Sequence, residues 1–327
     1  MIQLALIGAG PWGRNFISTI KSFTDCRIKY VCSKTAKTLK SLRGNYIKTT
    51  NYKDLFRYSD IDGVIIATPS STHYKISQEF LKKGFNLLIE KPLTINYLQA
   101  LKLRSLHQNS KTKILVGHTY LFDPAYKKTK ELAKSIGQIR YLSYEGSNNG
   151  PYRKDASILW DWGSHAISFC LDIYQKEPVQ ISAWALDTLR PESGLFDFAL
   201  IKLKFFDQVE AFIKISWLSP IKKRELVIVG SKSTIIYNDL ADKKITYYQD
   251  MGPKVRGKNI IKYNPKIEYP KYQLTLPLEM EIREFIDVVK NEKTVSHSGL
   301  DFGVKITKMI HLTEQSIKQN GKPINVS

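Results

Sequence analysis

No run of eighteen or more apolar residues occurs in the 327-residue chain, so the sequence offers no membrane-spanning helix. Cysteine is scarce. Cys26, Cys32 and Cys170 are odd in number and lack metal-ligand spacing, which argues against a disulfide framework or a zinc site. A secretory leader is not expected either. Met1–Ile7 is apolar but too short for one, follows no basic segment and runs at once into glycines and a proline. These absences predict a cytoplasmic protein. Acidic residues are few, 30 against 50 Lys and Arg, for a formal net charge of +20. The lysines are scattered through nearly every segment. No zinc-finger spacing, aromatic RNA-binding signature or basic helix with heptads accompanies them, so no specific nucleic-acid partner is expected. The excess reads as a compositional habit, although it suits an anionic small substrate. There are no internal repeats and no low-complexity tracts.

What is present is ordinary globular composition, 43% hydrophobic and 24% charged, in a chain long enough for two domains. The first 122 residues alternate short apolar runs with helical patterns. Gln3–Ile7 reads as a strand, Trp12–Ser22 as a helix and Arg27–Cys32 as a second strand. Gly63–Ala67 is a nearly unbroken apolar, β-branched run of the kind buried on both faces of a sheet, and Asn86–Glu90 and Ile114–Gly117 continue the series. Strand and helix in alternation predict a doubly wound parallel sheet. From 123 to 327 the texture changes. Asp123-Pro124 caps a helix, and from Gln138 the strands become long and consecutive. Val209, Ala211, Ile213, Ile215 and Trp217 alternate with less apolar positions, and two helices close the chain. An α+β domain with an open-faced, mainly antiparallel sheet is expected there.

Gly8-Ala9-Gly10-Pro11-Trp12-Gly13 follows a strand and opens a helix. Gly8 permits the tight turn, Gly10 lets backbone approach a pyrophosphate, and Gly13 lets helix and strand pack closely. The helix N-terminus faces phosphates with N–H groups and its positive dipole end. A bound dinucleotide is the expected cofactor. No acidic residue stands at the end of the second strand. Ser33 and Lys34 stand there instead and suit a 2′-phosphate, so NADP is favoured over NAD, the alternative being that Lys34 is a solvated helix-start lysine. At the next strand end, Thr68, Pro69 and Ser71 suit cofactor backbone and ribose, and His73 either reaches the cofactor or stands by. Glu90-Lys91-Pro92 ends the fifth strand. An ammonium at that rim suits stabilising a developing alkoxide or polarising a carbonyl, the alternative being a surface salt bridge. Asp161 and His165 are four apart, one helical turn, and suit proton transfer near neutral pH, the alternative being a helix cap at Asp161 with a structural His165. The pair also suits a metal, but no third ligand is evident, so none is expected. His118 follows the sixth strand on the same rim.

Taken in order, Gly8-x-Gly10-x-x-Gly13, Thr68-Pro69 with His73, Glu90-Lys91-Pro92 and Asp161-x-Gly163-x-His165 resemble the signature of the Gfo/Idh/MocA oxidoreductases. The resemblance covers essentially the whole chain. It implies a Rossmann domain and an open-faced α+β domain with the active site between them. The implied reaction is reversible hydride transfer between a sugar or polyol carbinol and nicotinamide C4. It further implies that Lys91 orients substrate and stabilises the alkoxide, that His165 exchanges the proton, and that Asp161 positions either substrate or His165. Cofactor contacts would come from Gly8, Gly10, Pro11, Trp12, Gly13, Ser33, Lys34, Thr68, Pro69, Ser71, His73, Glu90 and Lys91. Substrate contacts would add His118, Tyr120, Tyr152 and Arg153. The segment 148–155 resembles the substrate loop of members acting on nucleotide-linked sugars, with Arg153 and Lys154 suited to a phosphate. A homo-oligomer through the outer sheet face is also implied. Two departures stand out: the missing acid after the second strand, and Trp162 where a smaller aliphatic is usual. A biliverdin-reductase-like reductase and a non-catalytic dinucleotide- and sugar-binding regulator are the competing readings.

Overall fold

The structure is a computed structural model that describes residues 1–108, 110–153, 155–249, 254–256, 259–261, 265–295 and 297–326. In chain order the elements begin β1 (Ile2–Ile7), α1 (Pro11–Ile20), β2 (Cys26–Cys32), α2 (Ala36–Lys40), β3 (Ile47–Thr49), β4 (Gly63–Ile66), α3 (His73–Lys82), β5 (Asn86–Glu90), α4 (Tyr97–Gln108) and β6 (Ile114–Gly117). There follow α5 (Pro124–Ala133), β7 (Ile139–Asn149), α6 (Ser164–Tyr174), β8 (Gln180–Leu186), β9 (Phe198–Lys204), β10 (Glu210–Ser216), β11 (Leu218–Gly230), β12 (Thr234–Asn238) and β13 (Ile245–Gln249). Last come β14 (Lys254–Arg256), β15 (Asn259–Ile261), β16 (Lys266–Glu268), α7 (Pro277–Val289), α8 (Leu300–Lys318) and β17 (Ile324–Asn325). None of the helices among the described residues is long and apolar enough to cross a membrane.

The chain forms two compact units, Met1–Phe122 with Leu276–Lys308, and Asp123–Thr275 with Met309–Ser327. In the first unit six parallel strands run in the order β3-β2-β1-β4-β5-β6. The order reverses between β1 and β4, and the carboxyl ends at such a reversal are where this architecture binds ligands. Gly63, Val64, Ile65 and Ile66 are all buried, as a strand covered on both faces requires.

The sequence reading left 276–308 with the second domain, whereas the fold returns this segment to the first unit. The cause is the apolar stripe of α7. Ile282, Phe285 and Ile286 have no exposed surface. The Phe285 ring lies so close to Gly63 that a Cβ there would meet it at 2.9 Å. Asp25, just before β2, accepts from Arg283 and Lys290, each at 2.7 Å. Val116 N–H donates to the Ser298 carbonyl at 2.7 Å, and Leu115 bridges Gly299.

In the second unit nine strands run β16-β13-β12-β11-β7-β10-β9-β8-β17. Among the described residues every neighbouring pair of this sheet is antiparallel except β7–β10. Asp123 caps α5 by accepting from Ala125 N–H, with Pro124 beginning the helix. Along β10, Ala211, Ile213 and Ile215 are buried while Phe212 and Lys214 are exposed. On that same outer side Trp184 of β8, paired with Leu200 of β9, is half exposed. The residues of α6 from Ser164 to Ile173 are buried all round.

Candidate active site

The glycine turn lies at the sheet's point of reversal. Gly8 has φ +100°, and a Cβ there would strike the Ala67 carbonyl oxygen at 2.3 Å. A Cβ on Gly13 would come within 1.9 Å of the Gly8 carbonyl oxygen. Both positions are therefore glycine for reasons internal to the protein. Gly10 is different, because a Cβ there would meet nothing within 4 Å. It caps α1 without a side chain, and Pro11 at the first helical position has no N–H to offer. The amides of Trp12 and Gly13 are thus what the helix N-terminus presents. An anionic dinucleotide fits this donor set and this open approach. At the end of β2, Ser33 N–H donates to the Thr49 carbonyl at 3.1 Å, and Lys34 is exposed.

The ends of β4 and β5 are tied into the same turn. The Gly8 Cα rests against the Ala67–Thr68 peptide. The Thr72 hydroxyl holds the loop that follows, at 2.7 Å from both the Thr68 hydroxyl and the Pro69 carbonyl. Pro69 and Ser71 are exposed there. His73, expected among the cofactor contacts, has no exposed surface, and both its ring nitrogens meet main-chain carbonyls, Pro92 at 2.8 Å and Thr68 at 2.9 Å. Its two ring nitrogens thus face the loops that follow β4 and β5. Glu90 is buried; it accepts from the Trp12 indole and, at 3.1 Å, from the Lys91 backbone N–H. Lys91 is half-buried and its bond to Pro92 is cis.

Glu90 pairs with Gly117 in the parallel register, which sets Lys91 and His118 beside each other at the ends of β5 and β6. His118 is buried. Its Nδ1 lies 2.9 Å from the Ser298 hydroxyl, which itself donates to the Val116 carbonyl at 2.6 Å. Ser298 has one proton and has spent it, so His118 is the Nδ1–H tautomer. Its Nε2 has no hydrogen-bond partner among the described residues. Burial, then the Lys91 charge and His297, press its pKa down to about 3. Tyr120 is half-buried in the turn Thr119–Phe122.

Two residues of this region escaped the sequence reading. Ser298 left no signal, since it meets His118 across 180 positions. Glu281 of α7 was readable, because it falls on the stripe formed by Leu278, Ile282 and Phe285, where an acid is out of place. It has no exposed surface, and burial, reinforced by the charge of Glu90, pushes its carboxyl well above the ordinary range.

In the second unit Asp161 and His165 are both buried, at 9% and 8% exposure. Asp161 lies in a π-helical turn, Leu159–Gly163, rather than in the regular helix expected, and His165 follows in the first turn of α6. Wide turns of this kind recur at functional sites. Ser164 and Ser168 cap the carbonyls of Asp161 and His165, at 2.8 and 2.7 Å. Arg153 reaches the Asp161 carboxylate at 3.4 Å. Trp162 packs its ring edge-on to His165, with the Arg224 guanidinium 5.2 Å above the indole. Tyr152 is half exposed and donates to Asn149. Lys154 lies outside the described residues. Among the described residues no group of three His, Cys, Asp or Glu gathers as a metal site.

Residues 2–118 match an oxidoreductase family with an NAD-binding Rossmann fold, and residues 126–236 match the GFO/IDH/MocA C-terminal domain. An inositol 2-dehydrogenase of Rhizobium meliloti is 22% identical over 223 residues, 65% of this chain and 68% of that protein. A UDP-N-acetylglucosamine 3-dehydrogenase of Acidithiobacillus ferrooxidans is 28% identical over 128 residues, 38% of this chain and 40% of that enzyme. The solved structure of the latter enzyme has the same fold, with a TM-score of 0.82 at 19% identity over 97% of this chain and 98% of that one. The chain belongs to the GFO/IDH/MocA family of oxidoreductases with an NAD-binding Rossmann fold.

Proposed function

We propose that the protein is a dehydrogenase or reductase of a sugar, polyol or nucleotide-sugar carbinol, using NADP in preference to NAD. The observation that carries this reading is the joining of the glycine turn to Lys91 through the Trp12–Glu90 bond and the Glu90 bond to the Lys91 amide. A turn shaped for a dinucleotide and a basic side chain at the same rim are two of the requirements of carbinol oxidation. The relatives named inositol 2-dehydrogenase and UDP-N-acetylglucosamine 3-dehydrogenase support the substrate class. Ser33 and Lys34 support the 2′-phosphate.

When bound, the nicotinamide supplies or accepts the hydride. Lys91 holds the carbinol oxygen and stabilises it as negative charge develops. His165 takes the hydroxyl proton in oxidation and returns it in reduction, and Asp161 positions substrate or His165. Tyr120, Tyr152, Arg153 and His118 complete the substrate contacts, Arg153 being matched to an anionic group. Trp184, Leu200 and Phe212 on the outer sheet face bury themselves in a homo-oligomer.

Fluorescence titration with NADH and NADPH tests the cofactor, followed by a screen containing myo-inositol and UDP-N-acetylglucosamine. Tighter binding of NADPH and turnover of one such carbinol are expected. Failure of both dinucleotides to bind below millimolar concentration sinks the reading.

A further inference from the structure

We propose that His73 is a buried imidazolium that clamps the Thr68–Pro69 loop to the Lys91–Pro92 segment, and so acts as a positioning residue for Lys91. The inference rests on the role given to Lys91 above.

The geometry is unusual in what it leaves His73 to do. Nδ1 lies 2.8 Å from the Pro92 carbonyl and Nε2 lies 2.9 Å from the Thr68 carbonyl, with the residue wholly covered. A carbonyl oxygen only accepts. Neutral imidazole carries one N–H, so one of its nitrogens would point a lone pair at an oxygen less than 3 Å away. The imidazolium donates to both. Neither loop supplies a substitute donor at its proline, since Pro69 and Pro92 lack N–H groups. Residues 68–72 carry no ionisable side chain, Glu90 and Lys91 are the charged groups at the end of β5, and Tyr74 and Lys75 follow His73 on α3.

The clamp closes a ring of contacts. From the glycine turn one route runs through the Trp12 indole to Glu90 and the Lys91 amide. The other runs from Gly8 to the Ala67–Thr68 peptide against it, then through His73 to Pro92. Lys91 sits where the two routes meet. Loss of His73 opens the second route and leaves two carbonyls without their donor, while the glycine turn itself is untouched.

Two measurements test this. Long-range proton–nitrogen correlation spectra of the full chain labelled with 15N-histidine, at pH 7, read the ring directly. Both His73 nitrogens are expected to be protonated, with the signals assigned by their loss in His73→Gln. A neutral tautomer overturns the proposal, whatever the variants do. In kinetics, His73→Phe is expected to lower kcat tenfold or more on the carbinol found in the screen, with NADPH affinity changed less than threefold. Unchanged kcat in a folded, NADPH-binding His73→Phe also overturns it. Lys91→Ala is run beside it. If Lys91→Ala keeps its turnover, the reading of Lys91 has failed; if only Lys91→Ala loses turnover, the clamp has failed and Lys91 stands.

Discussion

The Trp12 indole donates to the Glu90 carboxylate, which fastens the first turn of α1 to the strand end that carries Lys91. Trp12→Phe removes the donor and keeps the ring, while Glu90 retains its bond to the Lys91 amide. The expected cost is about 1–2 kcal/mol of stability, with weaker NADPH binding. Urea unfolding and a fluorescence titration of the same variant check both effects.

The glycines separate structural from ligand-driven demand. Gly13→Ala forces a methyl onto the Gly8 carbonyl and is expected to cost about 3 kcal/mol or more and to abolish dinucleotide binding. Gly10→Ala meets no protein atom. Its melting temperature should stay close to that of the native chain while NADPH affinity falls at least tenfold. A Gly10→Ala variant that binds normally would show that no pyrophosphate approaches there.

Lys91→Met and His165→Asn each remove one proposed participant in the chemistry. Each is expected to reduce kcat by roughly 10²–10⁴-fold with dinucleotide binding preserved. Steady-state rates with NADPH titrations on the same preparations give the comparison.

Acid should weaken the fold through His118. In the unfolded chain its imidazole titrates near 6.5, whereas the folded value is about 3. Between those values the unfolded state binds a proton that the folded state refuses. Stability from this group is therefore complete above about pH 6.5 and falls as pH drops toward 3, by a few kcal/mol in order of magnitude. Urea midpoints from pH 7 to pH 4 should decline less steeply in His118→Gln than in the native chain.

On the outer face of the nine-stranded sheet, Trp184→Lys combined with Phe212→Lys places charge among exposed apolar side chains. The proposed oligomer is expected to dissociate, with the fold retained. Sedimentation velocity reads the mass, and an unaltered sedimentation coefficient rules out that face.

Local chemistry was legible in the sequence, and contacts between distant segments were not. The glycine turn declares itself because a positive φ at Gly8 and the tight approach at Gly13 are demands made within six residues. The alternation along β10 was equally plain, as was the cap at Asp123. The contact of His73 with the Pro92 carbonyl was not legible, because Pro92 lies 19 residues away on another loop. The tautomer of His118 depends on Ser298, and no pattern near either residue announces it. The π-helical turn at Asp161 likewise escaped a reading based on 3.6-residue spacing. Glu281 is the instructive case, since an acid on an apolar stripe was visible but its meaning required the sheet it packs against.

The return of Leu276–Lys308 to the first unit bears on the order in which the protein can be made. A nascent chain that has emerged only to Phe122 holds all six parallel strands, yet lacks the Phe285 ring that rests on Gly63, the Ser298 carbonyl that takes the Val116 amide, and the hydroxyl that fixes His118. The first unit is complete only once Leu276–Lys308 has followed. Until then the six-stranded sheet lacks the apolar cover that α7 gives it.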